Sequence, residues 1–306
     1  MNVAHRLTIT LPTYNRAGFL ERSLAEHRYI MDADDVSFVI LDNASTDETA
    51  EVVTKSVMNW KLVRYFRNEH TIPHEQNFEK ALKYGKSDYV WLLGDTYLIP
   101  ETSLNAVLSA IGEDDYDLVL LNVAGRVTDV AERVYSDRSE LLADLGWHMT
   151  CLSGLVYNKR LLQEANFTRY HDTNFLQTGI IFEFLSNRPF KVKWLPRHSV
   201  QGLKVAGLSK TSWEDVTFEI WTKRWANFVF SLPSSYSLDS KLKCAMDHGI
   251  KSGVFTLKAL ASLRKKKIFN LNVYHRYAHF FPFTIKYPAP LLRFIAMLPS
   301  WFFRVI

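Results

Sequence analysis

Three apolar runs in the first hundred residues each end in a polar cluster, and that order leaves few folds open. Leu7 to Leu11 ends in Pro12-Thr13-Tyr14-Asn15-Arg16, Val36 to Leu41 in Asp42-Asn43-Ala44-Ser45-Thr46-Asp47, and Tyr89 to Leu93 in Gly94-Asp95-Thr96. Short, continuous apolar runs of this kind are buried strands, and helical periods separate them. Strands alternating with helices build right-handed crossovers and a mostly parallel, doubly wound sheet. Such sheets bind ligands outside the carboxyl ends of their strands. All three polar clusters leave the chain at that edge, so they converge on one crevice.

The intervening segments fit the same plan. Gly18 to Tyr29 carries Phe19, Leu20 and Leu24 at helical spacing. Thr46-Asp47-Glu48-Thr49 opens a helix through Val53 and Val57, with Thr46 or Asp47 as its cap and acids in its first turn. Lys61 to Arg67 alternates as a strand, and Glu75 to Tyr84 is an amphipathic helix that Gly85 ends as a C′ residue. Pro100 starts a helix carrying Leu104, Val107, Leu108 and Ile111, and Asp117 to Val123 is a further strand. Cys151 to Tyr157 reads as a strand and Leu176 to Leu185 as a buried helix. From Trp213 the pattern is mainly helical, with Phe218, Trp221, Trp225 and Phe228 forming a core stripe. The expected division is an α/β domain over 1–212 and a helical extension over 213–306.

Charge divides the chain more sharply than composition does. Residues 1–184 hold 17 Lys+Arg against 27 Asp+Glu, whereas residues 185–306 hold 20 against 5. A basic second half suits an anionic partner such as lipid headgroups or phosphates. Phe280 to Ile306 interleaves Phe, Trp, Leu and Ile with four prolines and with Lys286, Arg293 and Arg304. Its apolar pieces, such as Leu291 to Leu298, are too short to cross a bilayer and suit a segment lying in the interface. The competing reading is a helical hairpin packed back onto the domain or a dimer partner. Two cysteines, Cys151 and Cys244, give neither a disulfide framework nor a metal spacing. Met1 to Arg6 leads directly into a strand, so no signal peptide is expected. The expected setting is cytoplasmic, on the inner face of the cytoplasmic membrane. No nucleic-acid recognition motif accompanies the basic half, and the first half is acidic.

Two carboxylates carry the candidate chemistry. Asp42, directly after a buried strand, is placed to accept hydrogen bonds from a nucleobase imide or ribose hydroxyls, and it stands too far before the helix to share in capping it. Asp95 is placed to hold a hard divalent cation, Mg²⁺ or Mn²⁺, bridging a diphosphate. Lys204, Ser209, Lys210 and Trp213 fall in a polar stretch that is either a solvated linker between domains or a segment of the sort that closes over a ligand. His148 beside Trp147 either lines a sugar pocket or is a partly exposed structural histidine.

The segments Leu11 to Arg16, Leu41 to Asp47 and Trp91 to Asp95 together resemble the nucleotide-binding half of family 2 glycosyltransferases, which have the GT-A fold. Arg67-Asn68 through Asn77 to Ala81 matches the stretch between the second and third motifs. Leu152 to Asn158 is similar to the acceptor-side strand. The resemblance implies an inverting transfer of a sugar from a nucleoside diphosphate donor, with UDP or dTDP favoured, to a hydroxyl of a glycan or polyprenyl-diphosphate-linked acceptor. O-antigen or capsule assembly is the implied setting. It assigns nucleotide contacts to Pro12, Thr13, Tyr14, Asn15, Arg16, Asp42, Asn43, Asn77, Gly94 and Asp95, with Asp95 as the metal ligand. Two positions depart from the pattern. The third motif keeps one carboxylate, flanked by Gly94, Thr96 and Tyr97, and no Glu-Asp pair follows the acceptor strand. Asp172 is then the first candidate for the catalytic base, His171 the second and Glu183 the third. Asp172 or Asn174 could equally cap the next helix. A non-catalytic sugar-nucleotide scaffold at the membrane and a nucleotidyltransferase are the alternatives. The latter normally wants a Gly-rich phosphate loop, which Pro12 to Gly18 is not.

Overall fold

The structure is a computed structural model that describes residues 6–31, 35–57, 60, 62–208 and 213–303. Its chain clusters into two compact units. The first comprises 1–136, 151–172 and 176–210, and the second 137–150, 173–175 and 211–306. The second unit thus takes in two short segments from the middle of the sequence as well as the C-terminal stretch.

Unit 1 is built on a nine-stranded sheet. In chain order the strands are β1 (Leu7–Thr13), β2 (Val36–Asp42), β3 (Val63–Arg67), β4 (Tyr89–Leu92), β5 (Tyr97–Leu98), β6 (Leu118–Val123), β7 (Arg133–Tyr135), β8 (Leu155–Asn158) and β9 (Val192–Gly202). Their spatial order is β3-β2-β1-β4-β8-β6-β9-β5, with β7 also paired to β9. The first four are mutually parallel, as are β6 and β9, and β8 runs antiparallel between β4 and β6. This is the expected mostly parallel, doubly wound sheet. Helices Ala17–Glu26, Thr49–Val57, His74–Tyr84 and Glu101–Glu113 supply the crossovers. Continuous burial of β1, β4 and β6 accounts for their unbroken apolar runs, since helices cover both faces.

Gly85 does not end its helix in the expected left-handed form, because its φ is −62°. Glycine is needed there for room, because an added Cβ would meet Val90 Cγ2 at 2.5 Å. Cys151 to Tyr157 is only partly strand: Leu152–Gly154 is a 3₁₀ turn and β8 starts at Leu155. Leu176–Leu185 is the buried helix expected.

Unit 2 is helical, with its own core of Phe218, Phe255, Phe269, Phe281, Leu292 and their neighbours. Of the aromatic stripe, Phe218, Trp225 and Phe228 are buried and Trp221 packs against that core. A π-helical stretch over Glu219–Arg224 leads into the helix Trp225–Ser231. The C-terminal segment splits the two readings of the tail. Leu292, Ile295, Ala296 and Phe303 are buried in this unit, while Phe294, Met297, Trp301 and Phe302 are exposed. His148 belongs to unit 2 and is buried, with its ring edge-on to Trp147, so it is a core histidine and not a partly exposed one. No described helix is long and apolar enough to cross a membrane.

Candidate functional site

Thr13 joins the two carboxylates. It is the last residue of β1, and its Cα pairs in register with Asp42 at the end of β2. On its other side the Thr13 hydroxyl donates to Asp95 Oδ2 at 3.1 Å. Asp42 and Asp95 therefore flank one threonine at the carboxyl edge of the sheet, where the strand directions require the polar clusters to emerge.

Asp42 is fully buried and its carboxylate accepts four hydrogen bonds. Oδ1 accepts from the Ser45 N–H at 2.8 Å and the Ser45 hydroxyl at 2.5 Å. Oδ2 accepts from the Tyr65 hydroxyl at 2.8 Å and from Arg67 Nη1 at 3.0 Å. The bond from Ser45 N–H folds the loop after β2, while the helix itself is capped by Asp47, whose Oδ1 accepts Thr49 N–H at 3.1 Å. Tyr65 and Arg67 lie two apart on β3, on one face of the strand, and Arg67 pairs in register with Asp42. Arg67 Nη2 also donates to the Ser45 carbonyl at 2.6 Å, closing a ring of contacts around the loop.

The first loop is clipped to the second. Asn15 has φ of 50°, which asparagine tolerates better than most residues, and its side-chain oxygen accepts from Thr46 N–H at 2.7 Å. Its own N–H donates to Ser45 Oγ at 2.9 Å, and Ala17 N–H donates to Asp47 Oδ2 at 3.0 Å. Tyr14 stays exposed at the tip. Asn43 is structural in this arrangement: its side chain donates to the Ile72 carbonyl and accepts from Ile72 N–H and Asn68. Asn68 in turn donates to buried Asn77 at 2.9 Å and accepts from Lys80 at 2.6 Å. Asn43 and Asn77 are thus joined through Asn68 in one buried hydrogen-bonded network.

Asp95 is partly buried. Desolvation pushes its carboxyl up to about 6, against the pull of the Arg16 guanidinium and the hydrogen bonds of Thr13 and of the Asp95 and Thr96 N–H groups. A carboxylate raised by desolvation gains from an added cation, so it suits a hard divalent ion. Among the described residues no three His, Cys, Asp or Glu side chains gather into a metal-holding group. Asp95 would be the single acidic ligand, with diphosphate oxygens and water completing the shell. Gly94 before it is held by Ser153, whose hydroxyl accepts Gly94 N–H at 3.0 Å and whose carbonyl accepts Trp91 Nε1 at 2.7 Å. Beside the same loop, burial depresses the pKa of Arg126, and Cys151 together with burial raises that of Tyr97.

The candidate bases differ in how they are held. Asp172 is exposed with φ of 64°. The Thr173 hydroxyl accepts from Phe175 N–H at 3.0 Å and so caps the next turn. His171 Nε2 lies 2.7 Å from Glu79 Oε2. Glu79 stands on the helix His74–Tyr84, which also presents Asn77 to Asn68 and Glu75 to Leu176 N–H. Despite desolvation, the Glu79 carboxyl is drawn below its ordinary value by Lys83 and His171. Glu183 is engaged by the Arg169 guanidinium and the Tyr170 hydroxyl. Of the polar stretch read as a linker or a closing segment, Ser209 and Lys210 lie outside the described residues. Leu203 N–H donates to the Thr96 carbonyl at 2.8 Å, and Leu208 covers Gly18, so 203–208 runs from the Asp95 loop to the start of the first helix. Lys204 on this run is exposed.

Sequence reading missed Thr13 as the bridge, Tyr65 and Arg67 as partners of Asp42, Ser153 as the prop for Gly94, and Glu79. Only the two β3 residues left a signal: polar groups two apart on a strand neighbouring Asp42.

A profile described as Glycosyl transferase family 2 matches residues 8–197. Among curated proteins, the abequosyltransferase RfbV of Salmonella typhimurium is 27% identical over 186 residues, covering 59% of this chain and 51% of that protein. Glycosyltransferase GlyG of Streptococcus pneumoniae is 21% identical over 116 residues, 38% of each. The chain thus spans about half, or less, of the curated relatives it matches. Among solved structures, S. aureus TarS 1-349 with UDP-GlcNAc superposes with a TM-score of 0.58 at 16% identity, over 95% of this chain and 87% of that one. The mannosyltransferase PcManGT of Pyrobaculum calidifontis, solved with GDP-Man and Mn²⁺, gives 0.55 at 16% over 95% and 85%. At these identities the structures speak for the fold alone, and they share the GT-A architecture.

Proposed function

The chain belongs to glycosyl transferase family 2, and from that premise we propose that it moves a sugar from a nucleoside diphosphate donor to an acceptor hydroxyl with inversion. The observation that carries the reading is Thr13, in register with Asp42 and hydrogen-bonded to Asp95. The nucleoside lies against Asp42, Tyr65 and Arg67, where an imide N–H takes the place of one of the two donors at Asp42 Oδ2. The diphosphate lies over Thr13 and Asp95, with Arg16 beside it. A divalent cation at Asp95, when bound, neutralises charge on the departing diphosphate as a Lewis acid. As base we take His171 ahead of Asp172, and the Glu79 carboxylate 2.7 Å from its Nε2 supports that reading by orienting the imidazole. The base takes the proton of the acceptor hydroxyl, whose oxygen attacks the anomeric carbon as the diphosphate leaves. Similarity to an abequosyltransferase supports a deoxyhexose donor and an O-antigen setting. The basic second half supports a lipid-linked acceptor and an anionic membrane surface as partners, hence work at the inner face of the cytoplasmic membrane.

The test is a thermal-shift panel of UDP-, dTDP- and GDP-sugars with and without Mn²⁺, followed by a transfer assay. A donor at 100 times its dissociation constant adds about 2.7 kcal/mol of stability. One pyrimidine donor is expected to raise the melting temperature, and Asp95→Ala to remove its Mn²⁺ dependence. If every donor leaves the wild type unmoved, the nucleotide pocket is refuted. Binding without any transfer would favour the scaffold reading, which the single acid of the third motif keeps in play.

A further inference from the structure

The C-terminal helix of unit 2 is apolar on two sides, which the core of that unit does not require. In Ala289–Met297, Leu292, Ile295 and Ala296 face inward and are buried. Phe294 and Met297, on the other side, are 58% and 56% exposed. The chain then turns at Leu298, whose carbonyl accepts from Arg264 Nε at 2.7 Å. Phe303 is buried in the core and anchors the short turn Ser300–Phe303. Trp301 and Phe302 on that turn are 62% and 53% exposed. A groove of about 440 Å³ along the helix Ala289–Met297 is lined by Tyr274, Ala289, Pro290, Arg293, Phe294 and Met297. Four large apolar side chains, held outward by anchored neighbours, thus fall within residues 294–302 and meet water at a cost.

Charge says what covers them. Residues 248–306 contain ten Lys and Arg and no Asp or Glu. Lys265, Lys266, Lys267, Arg276, Lys286 and Arg293 are all exposed. An apolar protein partner would not call for such one-signed charge. A bilayer rich in anionic lipid supplies both components, acyl boundary for the aromatic rings and phosphates for the cations. We propose that Phe294, Met297, Trp301 and Phe302, flanked by Arg293 and Lys286, form the surface by which this chain docks on an anionic bilayer. The inference deepens the membrane part of the reading above and is independent of the donor pocket, which lies in unit 1.

The full chain is mixed with sedimentable vesicles of phosphatidylglycerol and phosphatidylethanolamine, or of phosphatidylcholine alone. At least tenfold stronger partition onto the anionic vesicles is expected, falling with added salt. Trp301→Ser with Phe302→Ser should weaken binding about tenfold, and Arg293→Glu with Lys286→Glu at least as much. These side chains lie outside the core, so donor-induced thermal shifts should stay as in the wild type and report that the variants fold. Equal binding to both vesicle types, or variants that bind like the wild type, would overturn the proposal. So would a concentration-dependent dimer that the serine variants dissociate while vesicle binding persists. Loss of the donor shift in the wild type would instead count against the nucleotide reading and leave this surface standing.

Discussion

Asp42 faces two demands that one carboxylate meets together. It satisfies Ser45, Tyr65 and Arg67 in a fully buried position, and in the proposed pocket it also addresses the nucleoside. Removing one partner of a buried hydrogen-bonded pair strands the others, which costs more than the pair is worth. Asp42→Ala is therefore expected to lower the stability of the ligand-free protein by about 2–4 kcal/mol in urea denaturation, discounting for a partly exposed Arg67. Tyr65→Phe removes one donor and leaves the acceptor, so it should cost less than about 1 kcal/mol while still altering donor affinity. Asp95 behaves oppositely. Its pKa is raised by burial to about 6 from an ordinary 3.8, so the folded state holds the proton more tightly than the unfolded chain. Stability contributed by that proton is present at low pH and is lost as pH rises from 3.8 to about 6. Asp95→Asn should thus stabilise the ligand-free protein by about 2 kcal/mol at pH 7.5 and by almost nothing at pH 3.5. Thermal melts at the two pH values check the sign, and the same variant should lose its Mn²⁺ response. A stabilised but unresponsive variant is what a binding carboxylate predicts and what a mere turn residue does not.

Elements were legible where burial is continuous and hidden where it is interrupted. β1, β2, β4 and β6 stand within two residues of where their apolar runs place them. β9 went unread because Lys193, Pro196, Arg197 and His198 break its pattern. The sheet absorbs them as an irregularity: Leu121 pairs with Leu195 but the next residue, Asn122, pairs with Ser199. Asn122 makes this possible by donating to the carbonyls of Val127 and Pro196. Bulges and two-residue strands such as β5 leave no period to detect. The site was legible as far as its strand ends, because strand direction fixes where Thr13, Asp42 and Asp95 emerge. Glu79 was not, since nothing in a helical pattern reveals that its carboxylate meets a loop ninety-two residues later. If that contact orients the base, Glu79→Gln should lower kcat about tenfold with KM little changed, and Asp172→Asn should do neither. Gly179 holds the same loop from below, because an added Cβ would lie 2.2 to 2.7 Å from the Tyr170 ring. Gly179→Ala is expected to cost about 2–3 kcal/mol by overpacking, read from the denaturation midpoint.

For the whole molecule, the division of charge and the division into compact units overlap without coinciding, because the basic stretch 185–210 belongs to unit 1. The acidic part of the sequence contains both carboxylates of the donor pocket, and the basic part contains the outward apolar stripe. Each kind of ligand therefore has one unit to stabilise, since binding protects from local opening the segments that it contacts. Hydrogen exchange separates the two. A nucleotide-sugar with Mn²⁺ is expected to slow exchange over 7–17, 42–49 and 92–97, leaving 289–303 as it was. Anionic vesicles are expected to do the reverse, slowing 289–303 and leaving the three donor segments unchanged. Protection of 289–303 by the donor alone would mean that the pocket and the stripe are coupled, and a single pocket could then no longer account for the nucleotide response. Absence of protection at 42–49 by any donor would remove Asp42 from the nucleoside site, whatever Asp95 proved to hold.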